Sequence, residues 1–483
     1  MTVETKLNFI NGEWKASSGK TKESINPANT EEVVGILQNS TKEDLNIAID
    51  AAKNSVKEWR KLSGIQRGEY LSKTAEVLEQ RKEEIATTIT KEMGKTLGEA
   101  KGEVGRAIAI LKYYSNEGTQ KVGEVIPSSD ADAMLLTSRT PIGTVGIITP
   151  WNFPLAIPVW KIAPALIYGN TVVFKPATET GVTAALLVEC FEEARLPAGV
   201  INFITGSGSV IGQGIAENSG INGVSFTGSN NVGMKIAEVV SSRNAKYQLE
   251  MGGNNPVIVL EDADLDLAAE QIINGAFLMT GQKCTATSRV IIENKVYDKL
   301  KEKLLNKVDN IKVGNGLNSD TWMGPLNNEI ELNSVITNVK KVIKEGGKLL
   351  CGGNPISNGD YEKGFFFEPT IFENISEDMT IAKEEIFGPV VALMKVNSYE
   401  EAVDLANNTK YGLSASVFTK DITKMMTFID EIDVGVVRVN SESAGVEFQA
   451  PFGGMKDSSS HSREQGKAAI EFYTSIKTIL IKG

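Results

Sequence analysis

The sequence predicts an α/β fold built around a doubly wound, mostly parallel sheet, and three observations carry that prediction. Short apolar runs alternate with helical segments between residues 144 and 241. Each run ends on a polar or glycine-containing turn. The alternation resumes after Glu250 over a second set of runs. Such alternation belongs to parallel sheets covered by helices, whose ligands bind beyond the carboxyl ends of the strands.

Residues 42–62 and 66–95 carry apolar side chains at helical spacing among charges and read as amphipathic helices. Residues 118–139 are less regular and end at Thr140-Pro141. Strands are predicted at 144–149, closed by Pro150, at 170–174, closed by Lys175-Pro176, at 200–204, closed by TGSG, and at 224–226, closed by TGS. Helices at 183–195, 210–218 and 232–241 lie between them. In the second region strands are expected at 256–260, 289–293, 390–395, 414–418 and 434–439, with helices at 296–311 and 332–345. Residues 472–481 read as a terminal strand, which pairs with another element or another subunit.

At 483 residues and 41% hydrophobic content the chain exceeds one compact core, so two or three domains are expected. Lys and Arg number 50 against 61 Asp and Glu, a net charge of −11 that disfavours nucleic acid. The three cysteines form no disulfide framework and fit a reducing, cytoplasmic setting. The N-terminus lacks a signal-peptide pattern, and no apolar run is long enough to span a membrane. The single histidine, His461, excludes a multi-histidine metal site, and no CxxC pair replaces it, so no metal is expected. It lies in the polar run DSSSHSREQG, which reads as a solvated loop. A nucleophilic cysteine here would therefore use a carboxylate or a lysine as its base.

The glycine segment at 206–212, GSGSVIG, follows a strand and opens a helix, the context for phosphate at a helix N-terminus. Its spacing is GxGxxxG rather than GxGxxG, so a plain tight turn is an equal reading. A second strand–turn–helix, SFTGSNNVG at 225–233, strengthens the case for a ligand with an extended phosphate or ribose backbone. Asn152 in WNFP ends a strand, where its amide either donates to an oxyanion or simply makes a turn. Lys175 stands at the next strand end, suited to ribose hydroxyls or phosphate, or to solvent. Glu250 meets a double glycine in LEMGG and is a candidate general base or an exposed strand-end carboxylate. Glu385 in EEIFGP has the same two readings. Cys190 sits on an apolar helix side and Cys351 lacks polar neighbours, so both read as structural. Cys284 alone lies among Gly, Gln, Lys and Thr, where Lys283 and backbone N–H groups are expected to depress its pKa.

Together these stretches resemble the aldehyde dehydrogenase superfamily. The motifs are PWNFP (150–154), FKPA (174–177), FTGS (226–229), LEMGG (249–253), GQKC (281–284), EEIFGPV (384–390) and PFGG (451–454), in family order and spacing. The resemblance runs from Phe9 to the C-terminus. It implies a Rossmann-like dinucleotide-binding domain from residues 1–122 and 142–250, a catalytic α/β domain over 251–455, and an oligomerisation arm with the C-terminal strand from 123–141 and 456–483. It implies that Cys284 attacks an aldehyde as thiolate, that Asn152 and the Cys284 N–H hold the oxyanion, and that Glu250 activates water to hydrolyse a thioester. Lys175 joins these as a catalytic and cofactor-binding residue.

The cofactor site implied by the resemblance comprises Thr149, Pro150, Trp151, Lys175, Thr178, Gly208, Gly212, Phe226, Thr227, Gly228, Ser229, Val232, Glu250, Gly252, Glu385 and Phe387. In relatives that prefer NAD a glutamate often stands three residues after the lysine. Here Thr178 holds that place, so NADP is expected to be accepted and preferred over NAD, unless Glu179 restores NAD preference. The substrate pocket is expected from Asn152, Phe153, Ile157, Trp160, Lys283, Thr285 and Phe452. WNFPLAIPVWKIAPAL lacks the arginine of some succinate semialdehyde dehydrogenases. It looks more like the 2-oxoglutarate semialdehyde branch, with Lys283 and Thr285 as candidates for the substrate carboxylate. The alternatives are succinate semialdehyde or general aliphatic aldehydes, and, in another class, CoA-acylating or non-redox acyl transfer. A β-arm at 123–141 is expected to pair with the final strand of a neighbouring subunit, giving a homodimer or homotetramer.

Overall fold

The computed structural model describes residues 3–483. Two seven-stranded sheets form its frame. In the first, Lys246–Glu250, Gly223–Thr227, Thr144–Ile148, Thr171–Lys175 and Ile201–Phe203 lie side by side and parallel, and Asn8–Ile10 and Glu13–Lys15 extend the edge antiparallel. The three middle parallel strands are buried along their whole length, which is why they read as unbroken apolar runs. The strand order reverses at Thr144–Ile148, whose neighbours are the next strand in the chain on one side and a much later one on the other. Such a reversal opens a crevice at the strand ends, and Thr149 to Asn152 follow directly there.

The second sheet runs in the order Lys348–Cys351, Thr370–Glu373, Val390–Val396, Thr287–Glu293, Asn255–Val259, Ser414–Phe418, Val436–Val439 and is parallel except for its first strand. The last strand of the first sheet ends at Glu250 and the second sheet begins at Asn255. The cleft between the sheets therefore has Glu250 on one wall and, just before the strand Thr287–Glu293, Cys284 on the other.

The expected helix 66–95 is two, Gly64–Gln80 and Lys82–Met93, broken at Arg81, whose backbone leaves helical geometry at φ −98° and ψ 13°. The expected helix 210–218 opens instead as a π-turn, Gly208–Gly212, before Gln213–Glu217, a form that recurs at functional sites. A long helix, Leu97–Glu117, went unread in the sequence because Gly98, Gly102 and Gly105 dilute its pattern. Its start is nonetheless a capping box, Thr96 accepting from the Glu99 N–H.

The arm is a three-stranded sheet of Thr474–Lys482, Ala133–Pro141 and Val125–Ile126. The expectation that the arm pairs with the terminal strand of a neighbouring subunit is corrected: the strand Thr474–Lys482 pairs with Ala133–Pro141 of its own chain, over nine residue pairs. The two strands leave the same end of the first sheet, Pro141 opposite Thr474, so the register is set locally. The segment before that strand runs back to the first sheet, where Ser459 bridges Glu250 and Ser460 donates to the Leu249 carbonyl. Among the described residues no helix is long and apolar enough to cross a membrane.

Candidate active site

Cys284 is presented by a strained loop. Met279, Thr280 and Gly281 all have positive φ, at 57°, 60° and 69°. A Cβ at Gly281 would stand 2.2 Å from the Gly388 carbonyl oxygen, so only glycine fits. The strain is held by side chains: Thr280 Oγ1 donates to the Gly324 carbonyl at 2.9 Å, and the Glu99 carboxylate accepts from the Met279 N–H at 2.7 Å. Asn255 Nδ2 donates to the Cys284 and Ala286 carbonyls, both at 2.8 Å.

The residue reaches the cleft wall, yet the atoms packed around its sulfur push the thiol up to about 12, with Glu385 and Glu250 adding to the shift. The expectation of a depressed pKa is corrected, because two carboxylates and burial outweigh the two backbone N–H groups that favour the thiolate. Lys283 and the Cys284 thiolate attract each other, but this does not outweigh burial and the two carboxylates. The Lys283 ammonium is buried and donates to the Asn274 carbonyl at 3.1 Å, near the end of the helix Leu265–Phe277.

Asn152 lies 4% exposed, with Nδ2 donating to the Gln282 carbonyl at 3.0 Å and Oδ1 accepting from the Phe153 N–H at 3.1 Å. One amide hydrogen thus ties Asn152 to the nucleophile loop and the second remains for an oxyanion. Lys95 supports this loop from behind: its ammonium donates to the Asn152 carbonyl at 2.8 Å and to Glu103 at 2.7 Å, and lies 4.3 Å from the Phe153 ring centre.

Glu250 is buried, accepting from Ser459 Oγ at 2.5 Å with its other oxygen unpartnered. Burial first and the charge of Glu464 second raise its carboxyl well above the usual range, against smaller opposing effects of Ser459, Lys161 and Arg463. Glu464 is itself bound in a buried cluster. It pairs with Lys161, accepts from Trp160 Nε1 at 2.8 Å and from Ser225 Oγ at 3.1 Å, and Lys161 also donates to Ser225 at 2.8 Å. Sequence reading missed Lys161 and Glu464 as site residues. A lysine inside the wholly apolar helix Ala156–Ile167 was the available signal, since buried lysines are almost always paired.

The cofactor residues gather along the ends of the first sheet. Thr149 and Thr227 have buried hydroxyls without partners. The Lys175 ammonium is buried, touches only the Pro176 carbonyl at 2.9 Å, and is pushed down to about 8 by burial. Glu385 accepts one backbone N–H, from Gly253 at 3.2 Å, and burial pushes it up to about 8. A Cβ at Gly252 would lie 1.9 Å from its carboxylate. Ser229 stands exposed at the N-cap of the helix Asn230–Ser242 and makes no capping bond, with Val232 on the first turn 47% exposed. A Cβ at Gly208 would meet nothing within 4 Å. Gly212 packs beside Lys175, and Phe226 lies under Gly228. Trp151 and Phe387 stack edge to face at 5.5 Å beside Pro150, with Phe387 in the left-handed region at φ 54°. Free hydroxyls, an ammonium and a carboxylate lining a groove that ends at an open helix N-terminus fit a polyhydroxylated, phosphate-bearing ligand.

Of the pocket residues, Phe153 is half-buried, Thr285 is buried with its carbonyl accepting from Ser443 Oγ at 3.0 Å, and Trp160 packs on Phe452 at 5.8 Å. Ile157 is sealed in the main core. Thr178 is half-buried in a short turn, and its neighbour Glu179 lies 3.8 Å from Lys22.

A cysteine, an amide and a buried carboxylate opposite a groove of this kind fit a thiol-dependent oxidoreductase acting on carbonyl compounds. The chain belongs to the aldehyde dehydrogenase family, whose model matches residues 14–479. It is 59% identical over 479 residues to the alpha-ketoglutaric semialdehyde dehydrogenase of Bacillus subtilis, covering 99% of this chain and 98% of that protein. Its fold superposes with a TM-score of 0.96 on the NAD+ complex of a Staphylococcus aureus betaine aldehyde dehydrogenase, at 36% identity over 98% of this chain and 94% of that one. It matches equally, at 0.96 and 35% identity over 99% and 100% of the two chains, a 3,6-anhydro-L-galactose dehydrogenase in complex with NADP.

Proposed function

We propose that this aldehyde dehydrogenase oxidises 2-oxoglutarate semialdehyde to 2-oxoglutarate, with NADP preferred over NAD. The observation that carries the reaction is the convergence of Cys284, Asn152 and Glu250 on one cleft. The relative at 59% identity, a semialdehyde dehydrogenase by name, supports the substrate. For the cofactor, the support is Thr178 in place of a carboxylate, with the charge of Glu179 beside Lys22 at 3.8 Å.

Cys284 passes its proton to the Glu250 carboxylate, which releases it to solvent, and its sulfur bonds to the aldehyde carbon. The oxyanion that forms accepts hydrogen bonds from the free Asn152 N–H and the Cys284 backbone N–H. Lys175, Glu385 and the Gly228-Ser229 turn would hold a nicotinamide cofactor, which would supply the hydride acceptor, and loss of hydride from the substrate carbon would leave Cys284 acylated as a thioester. Glu250 then takes a proton from water, whose oxygen attacks the thioester and releases the carboxylic acid with the thiol. A CoA-acylating reaction would not need that base, and the Ser459 hydroxyl bonded to Glu250 at 2.5 Å favours water.

The pH dependence follows from two groups shifted in the same direction. Cys284 is raised to about 12, so at neutral pH its thiol is mainly protonated and inactive as a nucleophile, and the Glu250 carboxyl is shifted upward as well. Activity therefore increases from pH 6 to pH 9, by up to about tenfold per unit. A pH–rate profile that is flat or falls across that range refutes the assignment.

Six exposed apolar residues on the arm sheet, Ile126, Ile476 and Leu480 on one face and Val125, Met134 and Ile481 on the other, support assembly into a homodimer or homotetramer through the arm. The function is tested by absorbance at 340 nm with NADP or NAD and four aldehydes: 2-oxoglutarate semialdehyde, succinate semialdehyde, glyceraldehyde and pentanal. The highest kcat/KM is expected for 2-oxoglutarate semialdehyde with NADP. A higher value for pentanal overturns the substrate, and a higher value with NAD overturns the cofactor preference.

A further inference from the structure

The proposed substrate ends in a 2-oxo carboxylate, so the cleft needs a cation, and Lys283 is occupied by the Asn274 carbonyl. We infer that Arg106 binds this carboxylate and thereby selects 2-oxo-acid semialdehydes over uncharged aldehydes. The inference rests on the substrate reading above and names the residue that enforces it.

Arg106 lies on the helix Leu97–Glu117 in one stripe with Glu99 and Glu103, at spacings of four and three. This stripe touches every wall of the cleft. Glu99 holds the Met279 N–H of the nucleophile loop at 2.7 Å. Glu103 holds the N–H groups of Leu155 and Ala156, just after Asn152, at 2.9 and 3.0 Å. Arg106 Nη2 donates to the Val446 carbonyl, in the segment that leads to Phe452. Ser443, in the same segment, donates to the carbonyl of Thr285 beside the nucleophile at 3.0 Å. Arg106 thus shares its helix stripe with the two carboxylates that hold the Cys284 and Asn152 loops, and reaches the segment that leads to Phe452.

Its own bonding is incomplete. Arg106 Nε is buried without a partner, and among the described residues no carboxylate forms an ion pair with this guanidinium. Glu103 is committed to Lys95 at 2.7 Å and to two backbone amides, while Glu447 lies exposed. Burying a guanidinium this way is costly unless an anion completes it. The fully buried Arg289 is the internal contrast. All its nitrogens reach backbone carbonyls, of Asn254, Leu405 and Ala406, at 2.9–3.1 Å, as expected of a structural arginine. Space is also provided. A Cβ at Gly102, one helical turn before Arg106, would meet nothing within 4 Å. The fork of N–H donors then suits a carboxylate in two parallel bonds.

The test compares wild type with Arg106→Met and Arg106→Lys. It reads the ratio of kcat/KM for 2-oxoglutarate semialdehyde to that for pentanal, and the inhibition constant of glutarate against the semialdehyde. In Arg106→Met the ratio is expected to fall on the order of 100-fold through KM rather than kcat, with a matching loss of glutarate inhibition. Arg106→Lys recovers part of both, as a point charge without the fork, and gives the same readout if the methionine variant does not fold. If wild type discriminates and Arg106→Met does so equally well, the role of Arg106 is overturned and the substrate reading stands. If wild type does not discriminate, the substrate reading falls and this role with it.

Discussion

Replacing Cys284 by alanine is expected to abolish aldehyde oxidation, by about 10⁴-fold or more in kcat, while the melting temperature stays close to that of wild type. The expectation rests on the placement of the other two cysteines. Cys190 is buried in the main core with its thiol raised to about 12, and Cys351 is an edge-strand residue beside the Pro369 carbonyl. Neither reaches the cleft, so no second thiol can take over. The fold should tolerate the change because the loop is held by Thr280, Gln282, Asn255 and Glu99 rather than by the sulfur. Turnover by this variant measured at 340 nm, with intact-mass analysis showing no acylated protein, separates loss of chemistry from loss of fold. Substantial remaining NADP reduction would sink the covalent mechanism.

Replacing Glu464 by alanine should be the most destabilising single change in the site. Lys161 is fully buried, and Glu464 is its carboxylate partner, so the variant leaves an ammonium without countercharge in the core. Breaking such a pair costs about 3–5 kcal/mol, although replacing both members by apolar residues can be neutral. Thermal and urea melts of Glu464→Ala, Lys161→Met and the double variant measure this directly, and the double variant is expected to regain much of the loss. Catalysis should respond as well. Glu464 raises the Glu250 carboxyl, and removing its charge lets Glu250 ionise at lower pH. The rising limb of the pH–rate profile therefore moves toward acid in Glu464→Gln, which keeps the hydrogen-bonding shape. Equal melts for Glu464→Ala and wild type, or an unmoved profile, would show that the cluster neither stabilises the fold nor tunes the base.

Much of the scaffold was legible because buried parallel strands have an unmistakable composition. The strand Ser414–Phe418 matches its predicted bounds, Thr144–Ile148 ends one residue early, and Thr171–Lys175 is shifted by one residue at both ends. Reading failed where the pattern was diluted or the geometry was unusual. The glycines of Leu97–Glu117 hid a helix that supplies Lys95's partner Glu103 and the unpaired Arg106. The π-turn at Gly208–Gly212 cannot be told from an α-helix by apolar spacing.

The sequence by itself determined the two-region α/β organisation and the family, and singled out Cys284, Asn152 and Glu250 as candidates, because each lies in a short motif fixed by its neighbours along the chain. Only the tertiary structure decided how those residues are charged and held. The pull of Lys283 on the Cys284 thiolate is outweighed, since its ammonium is turned to the Asn274 carbonyl while burial, Glu385 and Glu250 raise the thiol. Lys161 meets Glu464 across 303 residues, and the arm strand meets the terminal strand of its own chain rather than a neighbour's. Burial and the electrostatics of contacts distant in sequence are properties of packing, which local spacing does not encode.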